Sequence, residues 1–504
     1  MKKVIYILSL LAFMGCSDEY FDRSGDNPGS IKDSQYWTSE KNAVDALAGV
    51  YSSLQSNTLY GNLYYQFDAL GEVASMNDRS NRLQDVEQGK LTPQTEIVEN
   101  TFQAWYTVIN RANEVLDNII KIDAKVISNE SRNRIIAESS FLRGLAYWHL
   151  TALYHNVPFL KQSPLNYKNG APIGTKEEIY DFIIKDLEAT VENLPNKKDL
   201  PASENWRISK YATFTLLAKY YMNDKKWDLA AAALKKIVDS KEFELHPNYA
   251  EYFTLKGENS KENIFEVPFQ DGVLKLGESF SFGYDETDFQ VFHRKSVKVN
   301  EKAANLFKKK DDTAPETYAE ATKNQFHANR DPRYYTTFFN NSKDDSLYWS
   351  STDGKKYASK KYARLGNKEQ TTGPQNFYVY RLADVLLLYS ECLNELAKPA
   401  DEVLPYINQV RARVQMPALN ADLTQSAIRK AIQNERLLEL SFEGIRYYDL
   451  KRWGALKALY TTNFNNIYKQ SERVYKDAQN GYWPIPQSEL DYNPLMNGKQ
   501  NEGY

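Results

Sequence analysis

The sequence predicts a mostly α-helical protein, a scaffold of tetratricopeptide-like helical hairpins carrying a loop-rich, aromatic cap. Three observations predict it. Runs such as 40–55, 99–122, 131–154 and 208–240 place apolar residues at helical spacing. Several of these runs come in pairs joined by short polar turns, with small and aromatic residues where two helices must approach closely. Residues 241–375 break the pattern, with few helical periods and many aromatic rings.

Taken in order, residues 40–55 (EKNAVDALAGVYSSLQ) put Val44, Leu47, Val50, Tyr51 and Leu54 on one helical face, with Thr38 or Ser39 as N-cap. Residues 61–93 are irregular. Helices follow at about 99–122 and 131–154. Residues 208–240 read as a hairpin turning at Asn223–Lys226, with Ala218, Tyr221, Trp227, Ala230 and Leu234 at the close contacts. A second hairpin spans 377–415 and turns near Lys398–Asp401. A third, more broken, joins 131–154 to 176–193, and a fourth is built around 424–450. Each hairpin leaves a face unburied, which stacking would cover; a bundle of unrelated hairpins is the alternative. The scaffold therefore spans about 36–240 and 376–504, and the cap about 241–375. The cap has short extended runs such as Asn263–Phe269. A region this long without periodicity is either disordered or functional, and its rings argue against disorder.

The N-terminus reads as an export signal. Lys2 and Lys3 precede an apolar run from Val4 to Met14, which has the length of a signal-peptide core. A membrane-spanning helix needs about 20 residues. Gly15 and Cys16 follow and look like a bacterial lipobox, although Phe13 stands where Leu is usual. Residues 1–15 are thus expected to be removed and Cys16 to carry lipid, each buried methylene contributing about 0.8 kcal/mol of membrane affinity. Polar residues 16–35, with Gly25, Asn27, Pro28 and Gly29, read as a tether.

Composition narrows the function. The net charge is −3, and loss of Lys2 and Lys3 makes it −5, which argues against nucleic acid as a partner. There are two cysteines. With Cys16 lipidated, Cys392 is expected as a buried free thiol in an apolar helix. The chain has 36 Tyr, 23 Phe and 8 Trp, partly for the core and partly suited to a surface of rigid rings with a polar edge. No HExxH, CxxC, G-x-S-x-G, Walker A or G-x-G-x-x-G pattern occurs. No two of the five histidines sit at i, i+3 or i+4, and His149 and His155 read as structural. Asp311/Asp312 and Asp344/Asp345 look like solvated loops. No catalytic residue, metal site or cofactor is nominated.

Several segments carry a family resemblance. Residues 434–454 read NERLLELSFEGIRYYDLKRWG, residues 482–494 read YWPIPQSELDYNP, and the chain ends QNEGY. Residues 381–396 read RLADVLLLYSECLNEL, with INQVRARV at 407–414, NPGS near the N-terminus and QYWTSEKNAVDALAGVY at 35–51. Together these resemble the SusD/RagB family of outer-membrane lipoproteins of Bacteroidetes, over nearly all of the mature chain. The resemblance implies a helical scaffold with four tetratricopeptide-like pairs and a variable ligand face. It also implies a non-catalytic protein, tethered at the cell surface by its lipidated cysteine. Such a protein covers a SusC-like TonB-dependent transporter and hands it a glycan or other nutrient. Ser17-Asp18-Glu19 resembles the acidic signal that directs such lipoproteins to the outer face. A lipid-anchored glycoside hydrolase and a protein-binding tetratricopeptide adaptor remain as alternatives.

The 434–454 block itself reads as structural. Arg436 can reach Glu439 across one helical turn, and Glu443, Arg446, Asp449 and Arg452 continue an ion-pair network. A sugar needs rings for its C–H face and polar groups for its hydroxyls. Three segments offer them: the polar run 75–82 with Asn77, Asp78 and Arg79; residues 280–294 with Tyr284, Asp288, Phe289, Phe292 and His293; and the pair Tyr348 and Trp349. These are the expected ligand contacts.

Overall fold

The computed structural model describes residues 36–76, 83–270, 283–284, 297–299, 301–313, 329–340, 357–365, 373–461 and 473–504. The principal helices are α1 (Glu40–Ser53), α2 (Glu96–Ile119), α3 (Asn129–Tyr154), α4 (Lys176–Thr190) and α5 (Lys210–Asn223). They continue with α6 (Trp227–Ser240), α7 (Leu382–Glu395), α8 (Ala400–Arg413), α9 (Gln425–Leu440) and α10 (Arg446–Arg452). Side-chain chemistry sets where they start. The Ser39 hydroxyl accepts from the Asn42 amide at α1, one of the two caps expected. Ser128 and Thr424 cap α3 and α9 in the same way, and Thr175 with Glu178 forms a reciprocal capping box at α4.

The scaffold is built around α3. Every residue from Ala137 to Leu150 is buried, so α3 must be wrapped on all faces. α1, α2 and α4 surround it, and α5 pairs with α6. α6 packs on α7, which packs on α8 and α9. This is the stacked arrangement expected, with two changes of partner. α3 pairs more extensively with α2 than with the expected α4, and α7 is shared between α8 and α9. Close approach at the centre depends on Gly144. An added Cβ there would sit 3.0 Å from Ile183 Cγ2, and the Tyr220 hydroxyl donates to the Gly144 carbonyl at 2.7 Å. Much of the tyrosine excess lies in this core, where the hydroxyls find acceptors. Tyr51 donates to Glu138 at 2.6 Å and Tyr154 to the Val98 carbonyl at 2.6 Å. Cys392 is buried and free, as expected.

The strands among the described residues form five two-stranded ladders. Residues 377–381, expected as the start of a helical hairpin, are instead strand β10 (Phe377–Arg381), and α7 begins at Leu382. β10 pairs antiparallel with β4 (Asn263–Val267), and all residues of both strands are buried. A short buried run of aromatic and β-branched residues has no periodicity that separates strand from helix, so its partner decided the outcome.

β10 ends at Arg381, which enters a buried ionic layer. Glu435 and Glu439 share one face of α9, and Glu443 follows in the next turn. Arg381 meets Glu439 at 2.7 Å, Glu443 at 2.6 Å and Glu262 at 2.8 Å. Arg333 meets Glu435 at 2.5 Å and Glu439 at 3.2 Å. Arg411 pairs with Glu435 at 3.0 Å, and Arg413 with both Glu439 and Glu262. The network expected of the 434–454 block is present, but its one specified pair is not. Arg436 turns away from Glu439 to Asp384 and Asp449, each at 2.7 Å. Adjacent faces of α9 meet different neighbours, and each charge follows the buried partner on its own side. Burial alone would push the Glu439 carboxyl up. The guanidiniums of Arg413, Arg381 and Arg333 outweigh that and hold it well below the usual carboxylate range. Lys219 and Arg436 do the same for Asp384.

The C-terminal motif is a strap. The Trp483 amide donates to the Leu153 carbonyl at 2.8 Å. Asn501 Nδ2 donates to the carbonyls of Tyr154 and Trp483, and Gln500 exchanges two hydrogen bonds with the Ile485 backbone. The last residues thereby tie down the end of α3. No described helix is long and apolar enough to cross a membrane.

Two predictions follow from the ionic layer. Arg381→Met removes the one cation shared by Glu262, Glu439 and Glu443 and should cost about 3–5 kcal/mol of stability. Denaturant unfolding measures this, and a loss below about 1 kcal/mol would contradict it. Because Glu439 and Asp384 titrate lower in the folded than in the unfolded chain, their stabilisation is present above the ordinary carboxylate range, about pH 4–4.5, and is lost as pH falls below it. Thermal melts should therefore show a falling midpoint below about pH 4.5.

Candidate functional site

Asn77, Asp78, Arg79, Asp288, Phe289, His293, Tyr348 and Trp349 lie outside the described residues, as do Phe292 and the lipid site Cys16. Tyr284 is described by its backbone, in β5 (Gly283–Tyr284). The described strands fix where these segments begin and end. β1 (Ala74–Met76) pairs antiparallel with β6 (Val297–Val299), with Ala74 opposite Val299 and Met76 opposite Val297. The chain thus leaves β1 toward Asn77 at the same end of the ladder at which it enters β6 from residue 296. β6 lies beside β8 (Tyr357–Ser359), which pairs antiparallel with β7 (Phe338–Asn340). Residues 341–356, with Tyr348 and Trp349, connect β7 to β8. β5 runs parallel to β9 (Arg364–Leu365), a few residues beyond β8. All three expected ligand segments therefore spring from one small group of strands.

Buried charge pins that group to the scaffold. β1 and β6 rest on the 3-10 turn Phe67–Leu70. Asp68 in this turn accepts the backbone amides of Glu443 and Arg446, each at 3.0 Å. Burial pushes the Asp68 carboxyl up to about 7, against the pull of those two donors. Gly444, between the two amides, has φ +75° and stands where an added Cβ would be 2.2 Å from the Tyr64 carbonyl oxygen. The glycine of the FEG triplet at 442–444 is needed for this close approach. Arg473 clamps the segment leading into β1. It donates to the carbonyls of Gly71 at 2.8 Å, Ala69 at 3.1 Å and Ala74 at 2.8 Å, and pairs with Glu87 at 2.8 Å. Arg446 pairs with Glu72 beside it.

The β7–β8 pair is held at both ends by the same glutamate cluster, Arg333 by Glu435 and Glu439 and Lys361 by Glu443. Arg333 lies in the short helix Pro332–Thr337 that leads into β7. Lys361 lies two residues after β8, where its ammonium meets Glu443 at 2.6 Å and the carbonyls of Glu439 and Ser441 at 2.9 and 3.0 Å. Burial pushes Lys361 down to about 8.

Reading the sequence did not single out Asp68, Arg333, Lys361 or Arg473. Asp68 had a signal, an acid within the apolar run LYYQFDAL; Arg473 had none, since the carbonyls it clamps lie 399 and more residues away in sequence. His149 is structural, as expected. Its ring nitrogens lie 3.0 Å from the hydroxyls of Tyr60 and Tyr448, and its ring stacks on Trp105 at 4.3 Å. Burial lowers its pKa well below the usual value. Asp312 is not simply solvated, because it lies 3.3 Å from Arg411. Among the described residues no group of three His, Cys, Asp or Glu could hold a metal ion.

Arg473→Ala should loosen the base of β1. Hydrogen exchange at residues 71–76 should accelerate at least tenfold, with about 1–3 kcal/mol of stability lost. Unchanged exchange there would show that the clamp is dispensable.

Comparison with known proteins agrees with this architecture. Residues 261–504 match the family described as the SusD family, and residues 19–222 match that described as starch-binding associating with outer membrane. SusD-like protein P25 of Formosa agariphila is 27% identical, covering 99% of each chain. A SusD-like protein of Bacteroides ovatus is 22% identical over 98% of this chain and 97% of its own. A SusD-like carbohydrate-binding protein of Bacteroides fragilis superposes with a TM-score of 0.78 at 24% identity, over 92% of this chain and all of that one. Surface glycan-binding protein A of Bacteroides thetaiotaomicron, in complex with laminarihexaose, gives 0.71 at 20% identity, over 92% and 100%. With two SusD-type families matched in order along the chain and the fold shared throughout, this protein belongs to the SusD/RagB family.

Proposed function

We propose that this protein is a cell-surface lipoprotein that captures an oligosaccharide on its loop face and delivers it to a SusC-like TonB-dependent transporter, without catalysis. The observation that supports the reading is the meeting of the strands that flank one polar and two ring-bearing segments, in a chain of this family. The ligand contacts we assign are Asn77, Asp78, Arg79, Tyr284, Asp288, Phe289, His293, Tyr348 and Trp349. Rings would cover the apolar faces of the sugars, and the polar side chains would bind their hydroxyls. Lipid on Cys16 would anchor the chain to the outer membrane, with residues 16–35 as slack that lets the body swing over the transporter.

A base anchored by charge suits capture and release. The strands stay in place while the segments between them vary, so affinity can be tuned without disturbing the scaffold.

Calorimetric titration against a glycan panel tests the reading, with laminarihexaose first because a structural neighbour carries it. A bound glycan should lose about tenfold or more in affinity in Tyr284→Ala and Trp349→Ala, a change of about 1.4 kcal/mol. Retained affinity in both would remove the assigned face, and cleavage of any glycan would end the non-catalytic reading. Cys16→Ala should release the protein from the outer membrane and abolish uptake of the bound glycan. Unchanged attachment would rule out the anchor.

A further inference from the structure

The scaffold carries a cleft of about 420 Å³ whose lining includes no residue of the strands that bear the loop face. It opens between the C-terminal end of α3, the start of α4, the end of α5, and α10 with the segment 473–482. Its size is that of a small-molecule site.

Its charge is unbalanced. Two of its cations are matched, Arg452 by Glu391 and Asp449, and Lys457 by Asp477 at 2.7 Å. Lys176 is matched only loosely and Lys451 not at all. The Lys451 ammonium donates to the carbonyls of Ala152 and Gly481, at 2.5 and 2.8 Å, and has no carboxylate within ion-pair distance among the described residues. Lys176 has only Asp224, at 3.9 Å. The two lysines repel each other, and burial together with Lys176 pushes Lys451 well below the ordinary lysine range. An anion between them would relieve both penalties.

The rest of the lining suits a hydroxylated ring. Lys451 lies 4.0 Å from the Tyr482 ring centroid and Lys176 4.9 Å from that of Tyr180, so the rings and cations alternate. The side-chain oxygen of Asn480 accepts from the Tyr475 hydroxyl at 3.0 Å. The amide nitrogen of Asn480 remains for another acceptor. The indole N–H of Trp148, a lining residue, is buried with no acceptor among the described residues. One ammonium without a carboxylate, flat rings and an amide donor in one cavity describe a ligand that brings acceptors, a C–H face and a negative charge.

We infer that this cleft is a second binding site, for a small acidic sugar unit whose negative group is met by Lys176 and Lys451. It does not rest on glycan capture by the loop face.

Titration of the full chain with glucuronate, glucose and inorganic sulfate, read by calorimetry and saturation-transfer NMR, tests it. Glucuronate should bind at least tenfold more tightly than glucose or sulfate. Lys176→Met should weaken glucuronate at least tenfold. Asn480→Gly, which keeps the left-handed backbone at φ 45°, should weaken it severalfold without unfolding the chain. Trp349→Ala should leave it unchanged. Absence of glucuronate binding, equal binding of glucose or sulfate, or unaltered affinity in both cleft variants would overturn the inference. So would loss of glucuronate binding in Trp349→Ala, which would place the sugar on the loop face instead.

Discussion

Three glutamates spaced four residues apart, Glu435, Glu439 and Glu443, are buried where water cannot solvate them. A buried carboxylate must be paired and hydrogen-bonded or it must take up a proton. Here Arg333, Arg381, Arg411, Arg413 and Lys361 converge on the three acids from several chain segments. Each cation sits at a structural junction: the helix leading into β7, the end of β10, the end of α8, and two residues after β8. The ionic layer therefore sets how the cap sits on the helices. Its contribution to net stability is modest, because desolvation offsets much of the attraction. Its contribution is to geometry, because removing or misplacing any one cation leaves a buried carboxylate short of a partner.

The same constraint reaches the proposed ligand face. Glu443 lies in the turn whose amides are held by Asp68, and Asp68 lies in the turn that supports β1 and β6. Arg473 and Arg446 extend the clamp to the residues leading into β1. A family that varies its ligand needs loops free to change and a base that does not. Charge buried at the loop bases supplies the second without restricting the first. The most distinctive motif in the sequence thus sits beneath the strands that lead into the proposed ligand face.

The elements legible in the sequence were those whose signal is local. Helix faces, the Ser39 cap and the hairpin turn at 223–226 all follow from spacing within a few residues. The ion network was legible as a population of charges in one block, but its pairing was not. Arg436 and Glu439 are neighbours along α9, and their partners lie on α7, α10, β10 and α8. The strand at 377–381 was misread because its partner β4 is more than a hundred residues away in sequence. The clamp of Arg473 on main-chain carbonyls leaves no sequence trace at all, since any residue can supply a carbonyl.

What the sequence determined by itself is the class of fold and the signature that marks the family. Those depend on periodicity and on side chains that must occur in order along the chain. What only the tertiary structure decided is which charges neutralise each other and which strands carry the loops. Both are choices among several chemically equivalent partners, and burial in one continuous core selects between them. Long-range packing alone brought β1, β6, β7 and β8 together, and left the Lys451 ammonium in a cleft with no carboxylate to pair it among the described residues.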